Sequence, residues 1–259
     1  MIVDYHMHLR DPDERIVHSL EALERFVETA AARGVDEIGF TEHVYYFGQT
    51  RALWSLPYQL ERCVYDLDEY VGTIVEAKRQ GLPVKLGLEV DYVGDRQDEL
   101  AAVLESYPWD YLLGSVHWID GLAIDQEPGL WGVESVAGVW RRYFASLAEL
   151  ASSGHVDVLA HPDLAKIFGK RPEGAIDYPK LEGVALEIST NGLYKPVGEL
   201  YPDIEFLQAA RLPITLASDA HVPQNVGRDF DRALDLARAA GYDTVTVFES
   251  RRARQEPLG

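Results

Sequence analysis

Sulfur and positive charge are both scarce in this 259-residue sequence. Cys63 is its one cysteine, which excludes a disulfide within the chain and suits a reducing compartment. It falls in the helical pattern Leu60, Val64, Leu67, Val71, a packing position. Lys and Arg number 24 against 43 Asp and Glu, a formal net charge of −19 that repels long DNA or RNA. A small phosphate ester is still compatible with that charge, because bound divalent cations reverse the potential inside a site. Also missing is any apolar run long enough to span a bilayer. The opening MIVDYHMHLRDPDE turns polar too soon for a secretory leader. A soluble cytoplasmic protein with no nucleic-acid or membrane partner is expected, as a monomer or small homo-oligomer.

What the chain does have is apolar content and alternation. At 47% hydrophobic it can bury a large core, and parallel α/β barrels often reach this length as one domain, here residues 1–259. Short β-branched runs alternate with longer amphipathic stretches, the pattern of parallel strands joined by helices. Strands are expected at 2–8, 37–43, 84–92, 111–118, 156–161, 184–190 and 214–221, with 244–248 as an eighth or edge strand. Helices are expected near 18–33, 57–80, 96–106, 134–153, 197–211 and 228–240, stopped by Gly34, Gly81, Gly154 and Gly241.

Histidine placement decides the functional reading. Six of the eight, His6, His8, His43, His117, His161 and His221, fall at or just past the end of an expected strand, and Glu89 and Asp219 take equivalent positions. Barrel enzymes build their sites at the C-terminal strand ends, where loops vary over a fixed frame. His6 and His8 in DYHMH stand two apart, so on a strand both imidazoles face one side, and Asp219 and His221 in SDAH repeat that spacing. Either pair alone is weak; both pairs with His43, His117 and His161 argue for divalent metals such as zinc, iron or manganese. A buried Glu89 is costly without cations to bridge. His155 precedes its strand and His18 opens a helix, so neither joins the site. Asp11, Asp13 and Glu14 crowd the first loop, and one of them could complete a metal site.

In order along the chain, DYHMH, GFTEH, GLEVDY, GSVHW, LAHPDL and SDAH resemble the motifs of the polymerase and histidinol phosphatase (PHP) family. LAHPDLAKIFG and LEISTNGL are especially similar to its histidinol-phosphate phosphatase branch. The resemblance implies a distorted (β/α)7 barrel with two to three divalent ions at the C-terminal strand ends. It places His6, His8, Glu89 and Asp219 on one cation, Glu89, His117 and His161 on a second, and His43 and His221 on a third. The third set departs from the family pattern, because LRDPDE carries no histidine, and Asp13 is the expected substitute. Glu89, His117 and Asp219 are the expected catalytic ligands for metal-activated attack of water on phosphorus. The implied reaction is hydrolysis of L-histidinol phosphate in histidine biosynthesis, with another nucleotide, cyclic phosphodiester or phosphomonoester as the alternative substrate.

Substrate contacts are expected from Arg228, Lys166, Lys195 and Asn191, which follow the later strands, and from Glu42, which could instead orient a ligand. Glu187, like Asn191, ends the sixth strand and is a candidate to orient a histidine. The aromatic stretch VYYFGQTRALW after His43 suits a lid over a small ligand, or else permanent packing on the barrel.

Overall fold

The computed structural model describes residues 1–10 and 15–259. Its strands are short: β1 (Val3–Asp4), β2 (Glu37–Phe40), β3 (Val84–Leu86), β4 (Glu89–Asp91), β5 (Leu113–Ser115), β6 (Trp118–Ile119), β7 (Leu122–Ala123), β8 (Val158–Leu159), β9 (Ala185–Ser189), β10 (Ile214–Ala217), β11 (Thr244–Glu249) and β12 (Arg252–Pro257). One parallel sheet runs β1-β2-β3 and a second β4-β5-β8-β9-β10.

The two sheets form a ring. β3 and β4 are halves of one run, whose Gly87 N–H donates to the Phe40 carbonyl at 2.9 Å while its Leu88 carbonyl accepts from Leu113 N–H at 2.9 Å. At the opposite seam Tyr5 N–H donates to the Leu216 carbonyl at 3.0 Å, His8 N–H to that of Ala220 at 2.8 Å, and Met7 forms a parallel bridge to Ala220. Seven parallel segments thus surround one interior, the expected α/β barrel in distorted form.

Tyr111 fills that interior. Its ring stacks 4.9 Å from Tyr5 and 5.6 Å from Phe248, and its hydroxyl donates to the Tyr5 carbonyl at 2.7 Å. Gly39 on β2 makes room for it, because a Cβ there would stand 2.0 Å from the tyrosine hydroxyl oxygen. Gly39→Ala is therefore expected to destabilise the fold by about 1–3 kcal/mol through overpacking, read as an earlier thermal melt. The strand expected at 244–248, as an eighth or an edge strand, is present as β11 but does not enter the ring. Instead β11 and β12 make an antiparallel hairpin that delivers Phe248 to Tyr111 and Tyr5 at the end of the barrel opposite the histidines.

Helices α1 (Leu20–Ala32), α2 (Pro57–Arg62), α3 (Leu67–Arg79), α4 (Gln97–Leu104), α5 (Val136–Ser152), α6 (Ile204–Ala210) and α7 (Phe230–Ala239) accompany the strands. α1 starts where the Ser19 hydroxyl accepts from Ala22 N–H and buries Ala22, Leu23, Phe26 and Ala30. Complete burial of Leu23 and Phe26 contributes roughly 1.5–3 kcal/mol each.

One expected helix, 57–80, is two. Tyr65 N–H donates to the Tyr46 carbonyl and Gly48 N–H to the Tyr65 carbonyl, so the chain is extended there, and Asp66 caps a new start by accepting from Asp68 and Glu69 N–H. Cys63 is accordingly buried at the end of α2, its thiol donating to the Phe47 carbonyl, while Val64 is exposed. The expected helix 197–211 also begins late, after Pro202, with Asp203 at its N-cap. Among the described residues no helix is long and apolar enough to cross a membrane.

Candidate metal centre

β1 delivers His6 and His8 to one side of the chain, with ring centroids 5.3 Å apart. Two residues earlier, buried Asp4 accepts hydrogen bonds from the Ser218 N–H and hydroxyl and from Gly227 N–H, which ties the first strand to the SDAH turn. Asp219 in that turn has φ +48° and His161 has φ +29°, a left-handed conformation that side chains rarely adopt and that clusters at functional sites.

Glu89 sits at the middle. One carboxylate oxygen lies 3.3 Å from His161 Nε2 and 3.5 Å from His117 Nε2; the other lies 3.6 Å from His6 Nε2, 3.8 Å from His8 Nε2 and in closer contact with His43 Nδ1. Asp219 Oδ1 lies 3.7 Å from His6 Nε2, 3.5 Å from His8 Nε2 and 3.5 Å from His221 Nδ1. Two donors that share a tetrahedral zinc at about 2.0–2.2 Å stand roughly 3.3–3.6 Å apart, so these spacings suit common coordination better than hydrogen bonding. His6 Nε2, His8 Nε2 and Asp219 Oδ1 are buried without a hydrogen-bond partner, as ligand atoms facing a cation would be.

Four groups hold their donor atoms within 4.8 Å: His6, His8 and Asp219; His6, Glu89 and His161; His8, His43 and His221; and His43, Asp91 and His117. All eight expected ligands that fall in the described residues are thus gathered at one mouth. Asp13 lies outside the described residues.

Neighbouring carboxylates set the ring orientations. Glu187 accepts from His6 Nδ1 at 2.8 Å and from His161 N–H at 3.1 Å, the orienting role anticipated for it. Asp91 contacts His117 Nδ1 at 2.7 Å and so aims Nε2 at Glu89. Sequence reasoning missed Asp91, although its two-residue spacing from Glu89 on a strand signals a shared face. Asp91→Asn is expected to weaken metal affinity roughly 10- to 100-fold, measured by titrating the apoprotein with zinc or manganese.

Glu42 accepts from Leu9 N–H at 2.6 Å and lies 3.4 Å from His8 Nδ1, fully buried. It stands behind His8 and is not among the residues that line the cavity above the histidines. Lys166 is likewise fully buried, its ammonium bonded to Asp203 at 2.6 Å and Asp163 at 2.9 Å, so no charge is left for a phosphate.

Asn191 and Lys195 do line the cavity of about 250 Å³ above the histidines. Arg228 reaches it indirectly, donating to Asn191 Oδ1 at 2.7 Å while Asn191 Nδ2 donates to Asp219. Arg10 also lines the cavity and donates to the Tyr46 hydroxyl at 2.8 Å. It was missed because its motif offered nearby acids as stronger candidates.

The stretch after His43 is packed, not a free lid. Val44, Tyr45, Tyr46, Phe47, Thr50 and Trp54 are buried, and Trp54 Nε1 donates to Thr50 Oγ1 at 2.9 Å. Of the two excluded histidines, His155 pairs with Asp98 away from the cluster, and His18 lies under Phe47 and Tyr70.

The electrostatics divide the histidines of the cluster into two sets. Burial, reinforced by neighbouring histidines, lowers His43 to about 4 and His221 to about 3, which keeps both neutral as ligands must be. Burial alone would raise Glu89 and Asp219, but the surrounding imidazoles hold both well below the usual carboxylate range. Burial opposes charge on His117, His6 and His8 too, yet the carboxylates beside them outweigh it and raise all three, His117 to about 10, so a metal ion must displace a proton from each.

Fold and site together define a barrel protein built to hold a cluster of divalent ions through histidine and carboxylate. Residues 4–191 match the PHP domain, and the chain belongs to that family. It is 32% identical to the "Probable histidinol-phosphatase" of Deinococcus radiodurans over 88% of this chain and 91% of that one. With the histidinol-phosphatase of Bacillus subtilis it shares 25% identity over 84% and 93%. The crystal structure of histidinol phosphate phosphatase from Lactococcus lactis, complexed with zinc, L-histidinol and phosphate, superposes with a TM-score of 0.73, covering 98% of each chain at 19% identity.

Proposed function

We propose that this protein is a metal-dependent phosphomonoesterase that hydrolyses L-histidinol phosphate to L-histidinol and inorganic phosphate. The carrying observation is Glu89, a buried carboxylate ringed by His6, His8, His43, His117 and His161 at bridging distances. His6, His8, Glu89 and Asp219 would hold one ion, Glu89, His117 and His161 a second, and His43 with His221 part of a third. Two or three such ions, with zinc the first candidate and iron or manganese the others, supply Lewis acidity toward water and the phosphoryl group. Glu187, Asp91 and Glu42 hold the imidazoles in orientation, and Asn191 fixes Asp219.

Lys195 and Arg10 bring positive charge to the cavity wall, where a phosphate can accept from them. A cavity of about 250 Å³ admits a small ester, and the net charge of −19 disfavours a polynucleotide.

The decisive measurement compares kcat/KM for histidinol phosphate, AMP and a cyclic dinucleotide with zinc-, iron- or manganese-loaded protein. A preference of 10²-fold or more for histidinol phosphate is expected, which is about 2.7 kcal/mol of discrimination. Equal or better turnover of either other ester sinks the substrate assignment and leaves the phosphoesterase class.

A further inference from the structure

Asp125 belongs to none of the groups that hold donor atoms together for a metal. It nevertheless lines the same cavity as Glu89, His117 and His161, and its Oδ1 is buried without a hydrogen-bond partner. The residue before it is held on both sides, once by the backbone of a candidate ligand. Ile124 N–H donates to the His117 carbonyl at 2.9 Å, and the Ile124 carbonyl accepts from Trp131 Nε1 at 2.8 Å. Asp125 is therefore presented at a fixed place relative to a candidate ligand.

Tyr45, Tyr58 and Trp118 share the cavity wall, with Trp118 5.3 Å from Tyr45 and 5.7 Å from Tyr58 between ring centroids. An aromatic wall excludes water, and a lower local dielectric strengthens any ionic contact made there.

Resting on the phosphomonoesterase reading, we propose that Asp125 is a specificity-determining residue that receives the cationic nitrogen of an amino-alcohol phosphate. The phosphate end of such a substrate is directed to the histidine cluster by charge. With Glu89 and Asp219 committed to the histidine cluster, Asp125 Oδ1 is the unpartnered carboxylate oxygen that the described residues of the cavity lining leave for the substrate's protonated amine, and a charge-assisted hydrogen bond forms without displacing any contact within the protein. Selection among phosphomonoesters follows from that contact, because an ester lacking the cation leaves the carboxylate unpaired.

Asp125→Asn keeps the shape and removes the charge. Its kcat/KM for histidinol phosphate is expected to fall roughly 10- to 100-fold, the range for a hydrogen bond to a charged group. With p-nitrophenyl phosphate, which has no cationic nitrogen, the change is expected to stay below about threefold, and metal content is expected to match the parent protein. Free L-histidinol is expected to inhibit the variant more weakly by a similar factor. A ratio of the two kcat/KM values unchanged from the parent, or an equal fall on both substrates, overturns the assignment to Asp125. Should the parent protein hydrolyse p-nitrophenyl phosphate but not histidinol phosphate, the proposed substrate fails first and this inference with it.

Discussion

Glu89→Gln is expected to lower kcat/KM by roughly 10³-fold or more and to strip the protein of most of its metal. Glutamine keeps the length and the planar end group, so the barrel has no steric reason to unfold. It loses the negative charge that five surrounding imidazoles share, and it replaces one acceptor oxygen by an N–H donor. That donor would point at imidazole nitrogens 3.3 to 3.8 Å away, which need their lone pairs for metal. Several kcal/mol of charge stabilisation go with the ions, and each 1.36 kcal/mol is a factor of ten. Elemental analysis beside steady-state kinetics checks both halves. A variant that retained its full complement of ions and a rate within tenfold of the parent would show that Glu89 bridges nothing.

The ligand set was legible in the sequence because two simple periodicities carry it. Residues two apart on a strand face the same way, which predicted His6 with His8 and Asp219 with His221. Strand-end position predicted that His43, Glu89, His117 and His161 would converge. Residues acting at one remove were less visible. Glu187 was found because it was expected at the end of a strand, although it stands in the middle of β9, whereas Asp91 sat unread in GLEVDY although it shares a face with Glu89.

Basic residues were harder still, because a positive charge in a loop says nothing about its partner. Lys166 follows its strand just as Lys195 does, yet only Lys195 reaches the cavity. The broken helix at 57–80 has a similar cause. Its apolar spacing runs on through Val64, and only the tertiary pairing of Tyr65 with Tyr46 and Gly48 pulls the chain out of helix.

Lys166→Met is expected to cost about 3–5 kcal/mol of stability, the usual result of removing one member of a buried ion pair. For a chain of this size that lowers Tm by roughly 10 °C. The ammonium is fully buried between Asp163 and Asp203, and Arg171 approaches Asp203 at 3.2 Å from the outer side. Methionine fills the volume but leaves Asp163 without its cation, and burial already pushes that carboxyl up to about 6. Among the folded molecules KM for the substrate should stay within about twofold of the parent, since Lys166 does not itself line the cavity and meets it through the Tyr201 ring, whose centroid is 5.5 Å from its ammonium. A phosphate-binding lysine would behave in the opposite way, raising KM and sparing the melt. Adding Asp163→Asn to Lys166→Met separates the causes further, because it removes the unpaired charge while its amide oxygen can still accept from Asp203 N–H. Partial recovery of Tm in the double variant is the signature of a structural ion pair; a double variant less stable than Lys166→Met alone would mean that Asp163 serves the fold through something other than the lysine.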